Sequence, residues 1–312
     1  MAGKVKPPAL KPGDMIAIVA PSGAPSKRNL NLGVKRIESY GYKIRIHPQC
    51  YLRRGYLAGD DEKRANALNE VFADKKVKAV FCARGGFGCQ RLLKYLDLKT
   101  IWNNPKIFVG YSDITVLLQT FARRFVTFHG PMPAIDICRK EYHYSLEKLL
   151  RIISNPSPAG AQENPKKAGG FIRRGRGRAM GYLTGGNLSL LQKLIGTPFL
   201  PKFADKIVFL EEVDEEPYRL NGYLSHLFTA SDIAKAAGFI FGPFLNCKIT
   251  RRTYPSLTVE QVLDDYFGGL NVPQLWNVAC GHGKENMTIP IGVMATIDAG
   301  KGIFEISEKA VV

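Results

Sequence analysis

A serine follows an apolar stretch in the segment Phe108-Val-Gly-Tyr-Ser-Asp-Ile-Thr115. The pattern predicts a strand that runs into Gly110 and is followed by a helix, so Ser112 would lie at the strand-to-helix turn. A hydroxyl there is exposed and lies near the amide groups of the helix N-terminus, which suits a nucleophile whose reaction forms an oxyanion. The segment lacks the second glycine of a G-x-S-x-G motif, because Ile114 stands there. Alternatively, Ser112 or Asp113 is an ordinary helix cap.

An acid and a histidine could complete such a site. Glu211 and Glu212 end an apolar stretch, and side chains alternate along a strand, so only one of them would face a given site. His282 lies between two glycines at the predicted end of another strand, and histidine is the usual general base near neutral pH. The order serine, acid, histidine supplies the parts for base-assisted acyl transfer. The alternatives are a solvated strand end and a surface histidine.

A glycine-rich loop, Ala83-Arg-Gly-Gly-Phe-Gly88, follows the third apolar stretch. Its glycines would let backbone amides approach a ligand closely, either a phosphate or an oxyanion. The loop matches neither a Walker motif nor G-x-G-x-x-G. A tight strand-to-helix turn is the other interpretation.

Apolar stretches alternate with helical patterns in the first half, which predicts βαβ units and a mainly parallel sheet. Ligands of such sheets bind beyond the carboxyl ends of the strands. We predict strands at 15–20, 43–47, 79–82 and 107–109, and helices at 30–40, from 59 onward, at 89–96 and at 113–124. In the second half we predict helices at 187–195, 218–228 and 258–267, strands at 206–210 and 237–241, and a hairpin at 299–300.

The pattern breaks between about Asn155 and Arg178, where proline, glycine and arginine dominate. Such composition is typical of a linker. We therefore expect an N-terminal domain at 1–154, a linker at 155–178 and a C-terminal domain at 179–312.

The chain has 312 residues, 45% of them hydrophobic, which suffices for a sizeable core and excludes wholesale disorder. Its net charge of +17 would suit a nucleic-acid binder or attract an acidic ligand. The six cysteines form no C-x-x-C pair and the histidines no metal-binding spacing, so we expect reduced, mostly buried thiols and no metal site. No apolar run reaches membrane-span length and the first residues lack a secretory signal pattern, so we expect a cytoplasmic protein without a membrane partner.

Five short motifs together resemble the LD-carboxypeptidase family of serine peptidases, which includes muramoyltetrapeptide carboxypeptidases and microcin-self-immunity proteins. The resemblance runs from about Gly13 to about Ile297. The motifs are Ala83-Arg-Gly-Gly-Phe-Gly88, Gly110-Tyr-Ser-Asp113, Gly185-Gly-Asn-Leu188, Phe209-Leu-Glu-Glu-Val213 and Gly281-His-Gly283. The resemblance implies an α/β fold: an N-terminal, mainly parallel, flavodoxin- or Rossmann-like sheet flanked by helices, and a smaller β-rich C-terminal domain. It also implies a homodimer that needs no cofactor.

The resemblance further implies roles for individual residues. Ser112 would be the nucleophile, His282 the general base, and Glu211 the acid that orients it, with Glu212 as the second choice. Backbone amides of the Gly85-Gly86 turn and of Asp113 would form the oxyanion hole. Arg84 would bind the substrate carboxylate or, equally, form a structural ion pair. The substrate would be a free muropeptide in the cytoplasm, cleaved at the bond between an L-centred diamino acid and D-alanine.

Three other functions are alternatives to this interpretation. Within the family, a microcin-immunity-like enzyme would cleave peptidyl-nucleotide amides and would need an aromatic partner for adenine, for which Trp276 and Trp102 are the candidates. A nucleic-acid-binding protein is suggested by the charge, but the basic residues are scattered apart from Arg173–Arg178 and no binding motif is found. An inactive ligand-binding relative is disfavoured because the serine, acid and histidine are all present.

Overall fold

The computed structural model of the chain describes residues 4–250 and 255–312. The strands are β1 (Met15–Val19), β2 (Lys43–Ile46), β3 (Val77–Cys82), β4 (Ile107–Gly110), β5 (Thr127–His129), β6 (Gly160–Gln162), β7 (Ile172–Arg174), β8 (Arg178–Asn187), β9 (Ile207–Val213), β10 (Gly238–Leu245), β11 (Gln274–Trp276), β12 (Ile289–Ile291), β13 (Met294–Asp298) and β14 (Ile303–Ile306). The α-helices are α1 (Lys27–Glu38), α2 (Asp61–Ala73), α3 (Leu98–Asn103), α4 (Thr115–Phe121), α5 (His143–Ser154), α6 (Leu188–Gln192), α7 (Pro217–Ala230) and α8 (Val259–Phe267).

The first half forms a sheet of order β12-β5-β4-β3-β1-β2. The strands β1 to β5 run parallel, and β12, from near the C-terminus, pairs antiparallel with β5 at the edge. The order 2-1-3-4-5 is that of flavodoxin-like doubly wound sheets, so the predicted α/β class is confirmed. Strands β1, β3 and β4 are almost wholly buried, because helices cover both faces of such a sheet.

The switch point of this sheet lies between β1 and β3. The loops that follow these strands meet there, since the Gly23 amide donates to the Gly85 carbonyl at 3.2 Å. The turn after β4 lies beside them. The carboxyl edge of the sheet thus brings the glycine-rich loop and Ser112 together.

The second half forms a mixed sheet of order β6-β14-β13-β8-β9-β10-β11-β7. Its centre, β8 to β11, is parallel, and antiparallel strands flank it on both sides. The predicted hairpin is confirmed as β13 and β14. Helices α7 and α8 pack on the parallel part around a phenylalanine-rich core that includes Phe239, Phe241 and Phe267.

The segment expected as a linker, 155–178, carries regular structure. Strands β6 and β7 lie in it and form the two outer edges of the second sheet. Arg174 on β7 forms ion pairs with Glu260 and Asp264, and its guanidinium lies 4.3 Å from the ring centroid of Trp276. Strand β6 (Gly-Ala-Gln) and strand β7 (Ile-Arg-Arg) have only three residues each and show no apolar alternation, so composition alone gave no sign of them.

The cysteine prediction is confirmed: all six are free thiols, and Cys50, Cys82, Cys89 and Cys280 are buried. In the part of the chain that the structure describes, no helix has the length and apolarity needed to cross a bilayer.

Two glycines within helices, Gly33 of α1 and Gly222 of α7, provide a matched pair for testing how closely these helices pack. A Cβ on Gly33 of α1 would lie 2.1 Å from the Pro133 carbonyl oxygen, whereas a Cβ on Gly222 of α7 meets nothing within 4 Å. Gly33→Ala should lower the free energy of unfolding by about 1–3 kcal/mol through overpacking. Gly222→Ala should raise it by about 0.5–1 kcal/mol through helix propensity. Denaturant unfolding measures both, and shifts of the same sign would contradict the packing described.

Candidate active site

Ser112 lies at a strained turn. Strand β4 ends at Gly110, and Ser112 has a φ of +64°, in the left-handed region that residues other than glycine rarely adopt. A Cβ on Gly110 would lie 2.9 Å from Ile114, so a glycine two residues before the serine is required by the side chain two residues after it. Strain of this kind is typical of functional sites, where the surrounding structure must maintain it.

The glycine-rich loop after β3 lies directly against Ser112. A Cβ on Gly85 would lie 3.1 Å from the Ser112 Oγ and 2.9 Å from its Cβ, so the loop approaches this closely only as glycine. Within the described residues, the amides of Gly85 and Gly86 donate to no protein acceptor. They are therefore available as donors to a ligand beside the Ser112 hydroxyl.

The Asp113 carboxylate holds these loops together. It accepts hydrogen bonds from the Ser22 hydroxyl (2.7 Å), in the loop after β1, and from the Cys89 amide (2.9 Å), after the glycine-rich loop. The side chain is buried and does not cap the short 3₁₀ turn at Ser112–Ile114. The sequence analysis predicted a backbone amide donor or a helix cap at Asp113 and missed both this role of its side chain and Ser22, whose position after β1 carried no chemical signal.

Glu211 and His282 form a buried pair. The Glu211 Oε2 lies 2.6 Å from the His282 Nδ1 and also accepts the His282 backbone amide at 3.1 Å. Glu211 is fully buried in β9, whereas the His282 side chain is 17% exposed, in the loop between β11 and β12. The carboxylate therefore fixes the orientation of the imidazole ring. Because Glu211 contacts Nδ1, the other ring nitrogen, Nε2, is the one left to accept a proton.

The two members of the pair shift each other's protonation. Burial by itself would raise the pKa of Glu211, but the charge and hydrogen bonds of His282 outweigh it and the pKa is lowered. Burial would lower the pKa of His282, but the charge and hydrogen bond of Glu211 outweigh it and the pKa is raised. The carboxylate stays ionised and the imidazole is made more basic, as a proton acceptor requires.

Glu212 points the other way. Its carboxylate accepts hydrogen bonds from the Asn187 side chain (2.6 Å) and the Ser189 amide (2.8 Å), at the N-terminus of α6. Burial first, then the charge of Glu211, raise its pKa to about 7. The predicted alternation is confirmed, and Glu211 is the acid that contacts the histidine.

Tyr111 connects the serine turn to the histidine. Its ring meets the His282 ring edge-on, with centroids 5.0 Å apart, and it directly precedes Ser112. The Tyr111 hydroxyl donates to buried Asp136 at 3.1 Å, and burial raises the pKa of that carboxyl to about 6.

The described residues contain no hydrogen bond between Ser112 and His282; in substrate-free enzymes such bonds are frequently long and tighten in the complex. Sequence reasoning missed Tyr111 and Asp136.

His129 lies behind the pair and is fully buried. Burial lowers its pKa to about 4, so it is neutral, and neither ring nitrogen has a partner among the described residues. Its ring packs edge-on against Phe209 at 5.0 Å. This agrees with a structural histidine.

Arg84 borders a crevice that opens from the glycine-rich loop. A cavity of about 390 Å³ is lined by Arg53, Tyr56, Arg84 and Phe87 among others. Arg84 donates from Nε to the Gly85 carbonyl at 3.1 Å and has no carboxylate partner in the described chain. The structural ion pair is thus not seen, and the guanidinium is available for an anionic ligand.

The electrostatics of the pair can be tested without substrate. In an NMR titration, the imidazole pKa of His282 should lie above the ordinary value of about 6.5. In Glu211→Gln it should fall below that value, because burial then acts without a compensating charge. Glu212→Gln, the adjacent control, should change it much less. A His282→Gln spectrum assigns the resonance, and equal shifts in the two glutamate variants would contradict the pairing.

Both halves of the chain match models of known protein domains. Residues 16–130 match the model of the LD-carboxypeptidase N-terminal domain, and residues 180–297 match that of the LD-carboxypeptidase C-terminal domain. A probable murein peptide carboxypeptidase of Bacillus subtilis (strain 168) is 36% identical over 298 residues, which cover 95% of this chain and 92% of that protein.

Solved structures of other proteins share the fold of this chain over nearly its whole length. MccF, in complex with glutamyl sulfamoyl guanosine, superposes with a TM-score of 0.88 over 99% of this chain and 100% of its own; at 22% identity this likeness establishes the fold alone. A muramoyltetrapeptide carboxypeptidase from Oxalobacter formigenes superposes with a TM-score of 0.80 at 26% identity, over 93% of this chain and 97% of its own. Both halves are matched and relatives align along nearly the whole length, so the chain belongs to the LD-carboxypeptidase family of peptidases.

Proposed function

We propose that this chain is a serine LD-carboxypeptidase that releases the terminal D-alanine of murein tetrapeptides. The observation that carries the proposal is the buried Glu211–His282 pair, which meets the residue before Ser112 at the carboxyl edge of the first sheet. The names of the Bacillus and Oxalobacter relatives support the substrate class.

In the proposed reaction, the Ser112 Oγ attacks the carbonyl carbon of the L-centred residue and its proton passes to the His282 Nε2, since Nδ1 is held by Glu211. The amides of Gly85, Gly86 and Asp113 stabilise the oxyanion. His282 then protonates the leaving amine of D-alanine. Water attacks the resulting ester, His282 accepts its proton, and Ser112 is regenerated.

Arg84 would bind the C-terminal carboxylate of the peptide. Its guanidinium has no carboxylate partner in the described chain, and it lines the crevice next to Gly86. Tyr56 and Phe87, whose rings meet edge-on at 5.8 Å, form an exposed apolar wall of the same crevice. A cation beside an apolar wall suits a D-alanine residue with its carboxylate and methyl group.

The family resemblance further implies a cytoplasmic homodimer that acts without metal or nucleic acid, and we include these points in the proposal. The microcin-immunity alternative lacks support from the two candidate tryptophans. Trp102 packs against the larger hydrophobic core, and the Arg124 guanidinium lies 5.7 Å from its ring centroid. The Trp276 indole stacks on Phe241, with centroids 4.1 Å apart, and Arg174 lies over it, so the ring is already engaged.

The first test measures D-alanine release from a tetrapeptide ending in diaminopimelate–D-alanine, with EDTA present. Ser112→Ala and His282→Ala should each reduce kcat by roughly 10⁶-fold, and Glu211→Ala by ~10³ to 10⁴-fold, because the three groups act as a unit. Ser256→Ala, which removes an exposed hydroxyl, is the matched control. A Glu212→Ala loss larger than that of Glu211→Ala would show that the acid is assigned wrongly.

A second test concerns the substrate carboxylate. Arg84→Met should lower kcat/KM by roughly 10- to 100-fold, mainly through KM, because a charge-assisted hydrogen bond is lost. Arg84→Lys should restore part of the loss. Arg176→Met removes an exposed cation in the basic stretch and is the control for net charge. Equal effects of Arg84→Met and Arg176→Met would point to long-range attraction in place of a contact.

A further inference from the structure

A separate cavity of about 280 Å³ lies beyond the C-terminal end of α4, whereas Ser112 precedes the N-terminal end of that helix. One wall is apolar and is formed by Leu183, Phe199, Leu200 and Ile291. Strands β8 and β12 contribute to it, so the cavity lies where the two halves of the chain meet. It shares no lining residue with the crevice at Arg84.

Four cations line this cavity: Lys4, Arg123, Lys202 and Lys206. No Asp or Glu lines it. None of the four forms an ion pair with another described residue; the nearby Asp232 carboxylate instead accepts the backbone amides of Phe203 and Ala204. We call this site the four-cation cavity.

Three of the four cations are held by backbone carbonyls. Lys4 donates to the Arg123 carbonyl at 3.3 Å, Lys206 to the Lys202 carbonyl, and Arg123 to the Pro198 carbonyl. Each lysine ammonium has three donors, so N–H groups remain to contact a ligand. The positions of these three charges are fixed by the fold, but none of them forms an ion pair with a described residue.

The cations also act on one another. Burial first, then the charges of Arg123 and Arg124, lower the pKa of Lys4. Burial first, then the charge of Lys4 and to a lesser extent that of Lys202, lower the pKa of Lys206, and the charge of Asp232 opposes them with an effect smaller than that of Lys4 but larger than that of Lys202. Like charges held together at a half-buried site destabilise it, and a bound anion would relieve this repulsion.

We infer that the four-cation cavity binds a small organic anion, a carboxylate or phosphate joined to an apolar body. The cations would hold the anionic group, and the wall formed by Leu183, Phe199, Leu200 and Ile291 would cover the apolar part. The volume lies near the lower end of the range for ligand pockets, about 300 Å³, so the ligand is small. This inference does not depend on the proposed peptidase activity.

Isothermal titration calorimetry of the full chain tests it with octanoate and octyl phosphate, which distinguish the two anionic groups. Octanol and inorganic phosphate carry only one half of the proposed chemistry and should bind at least tenfold more weakly. Lys4→Met/Lys206→Met should weaken binding of the better anion by roughly tenfold or more, since charged hydrogen bonds are lost. Lys301→Met/Lys309→Met removes two exposed cations elsewhere and should leave the affinity unchanged.

A thermal melt of each variant checks the fold. If the double variant does not fold, Lys202→Met, whose side chain is exposed, replaces it and should still reduce the affinity. Arg84→Met should not affect this binding, which separates the four-cation cavity from the peptidase crevice. Absence of saturable binding by both anions, equal binding of octanol, or affinity unchanged in both the double variant and Lys202→Met would overturn the inference.

Discussion

A fully buried carboxylate, Glu211, constrains much of the second half of the chain. A charge without water must be paired and hydrogen-bonded, or it becomes neutral. The loop between β11 and β12 meets this requirement by folding back so that both the ring and the amide of His282 reach the carboxylate. The neighbouring backbone must be glycine, because a Cβ on Gly281 would lie 2.5 Å from the Glu211 Oε2. A second hydrogen bond, from the Gly281 amide to the Asn286 Oδ1, closes the same loop.

Two chemically identical residues at consecutive positions acquire opposite properties. Glu211 faces an imidazole and has a lowered pKa, whereas Glu212 faces a helix N-terminus and has a raised one. The alternation of a strand separates them onto two faces, and burial then amplifies the difference between their partners. The carboxylate that pairs with His282 and the carboxylate that anchors α6 are thus consecutive residues, so a shift of β9 by one residue would exchange their roles.

The features of the fold that depend on a few consecutive residues could be predicted from the sequence. The strands leading to Ser112 and Glu211, the glycine-rich loop and the alternation of the two acids all follow from runs of a few residues. The prediction that His282 ends a strand is wrong: β11 ends at Trp276 and the histidine lies in a long loop held by Glu211. The 113–124 helix prediction merged a 3₁₀ turn with α4.

Contacts between segments that are distant in the chain leave no pattern in the local sequence. The bond between Ser22 and Asp113 joins residues 91 positions apart, and Tyr111 and Asp136 meet across a loop. Strands β6, β7 and β12 have three residues each and are defined by their partners in the sheet, so periodicity could not identify them. The resemblance to a family supplied the roles of the residues but not these supporting contacts.

The position of β12 in the sequence determines when the first sheet can be completed during translation. Strand β5 is an open sheet edge until residues 289–291 pair with it, so the N-terminal sheet stays unfinished while most of the chain is being translated. An unpaired edge is a template for association with other chains. The last strand to reach this sheet emerges from the ribosome just after His282. A nascent chain therefore completes the Glu211–His282 pair and closes its exposed sheet edge at almost the same moment.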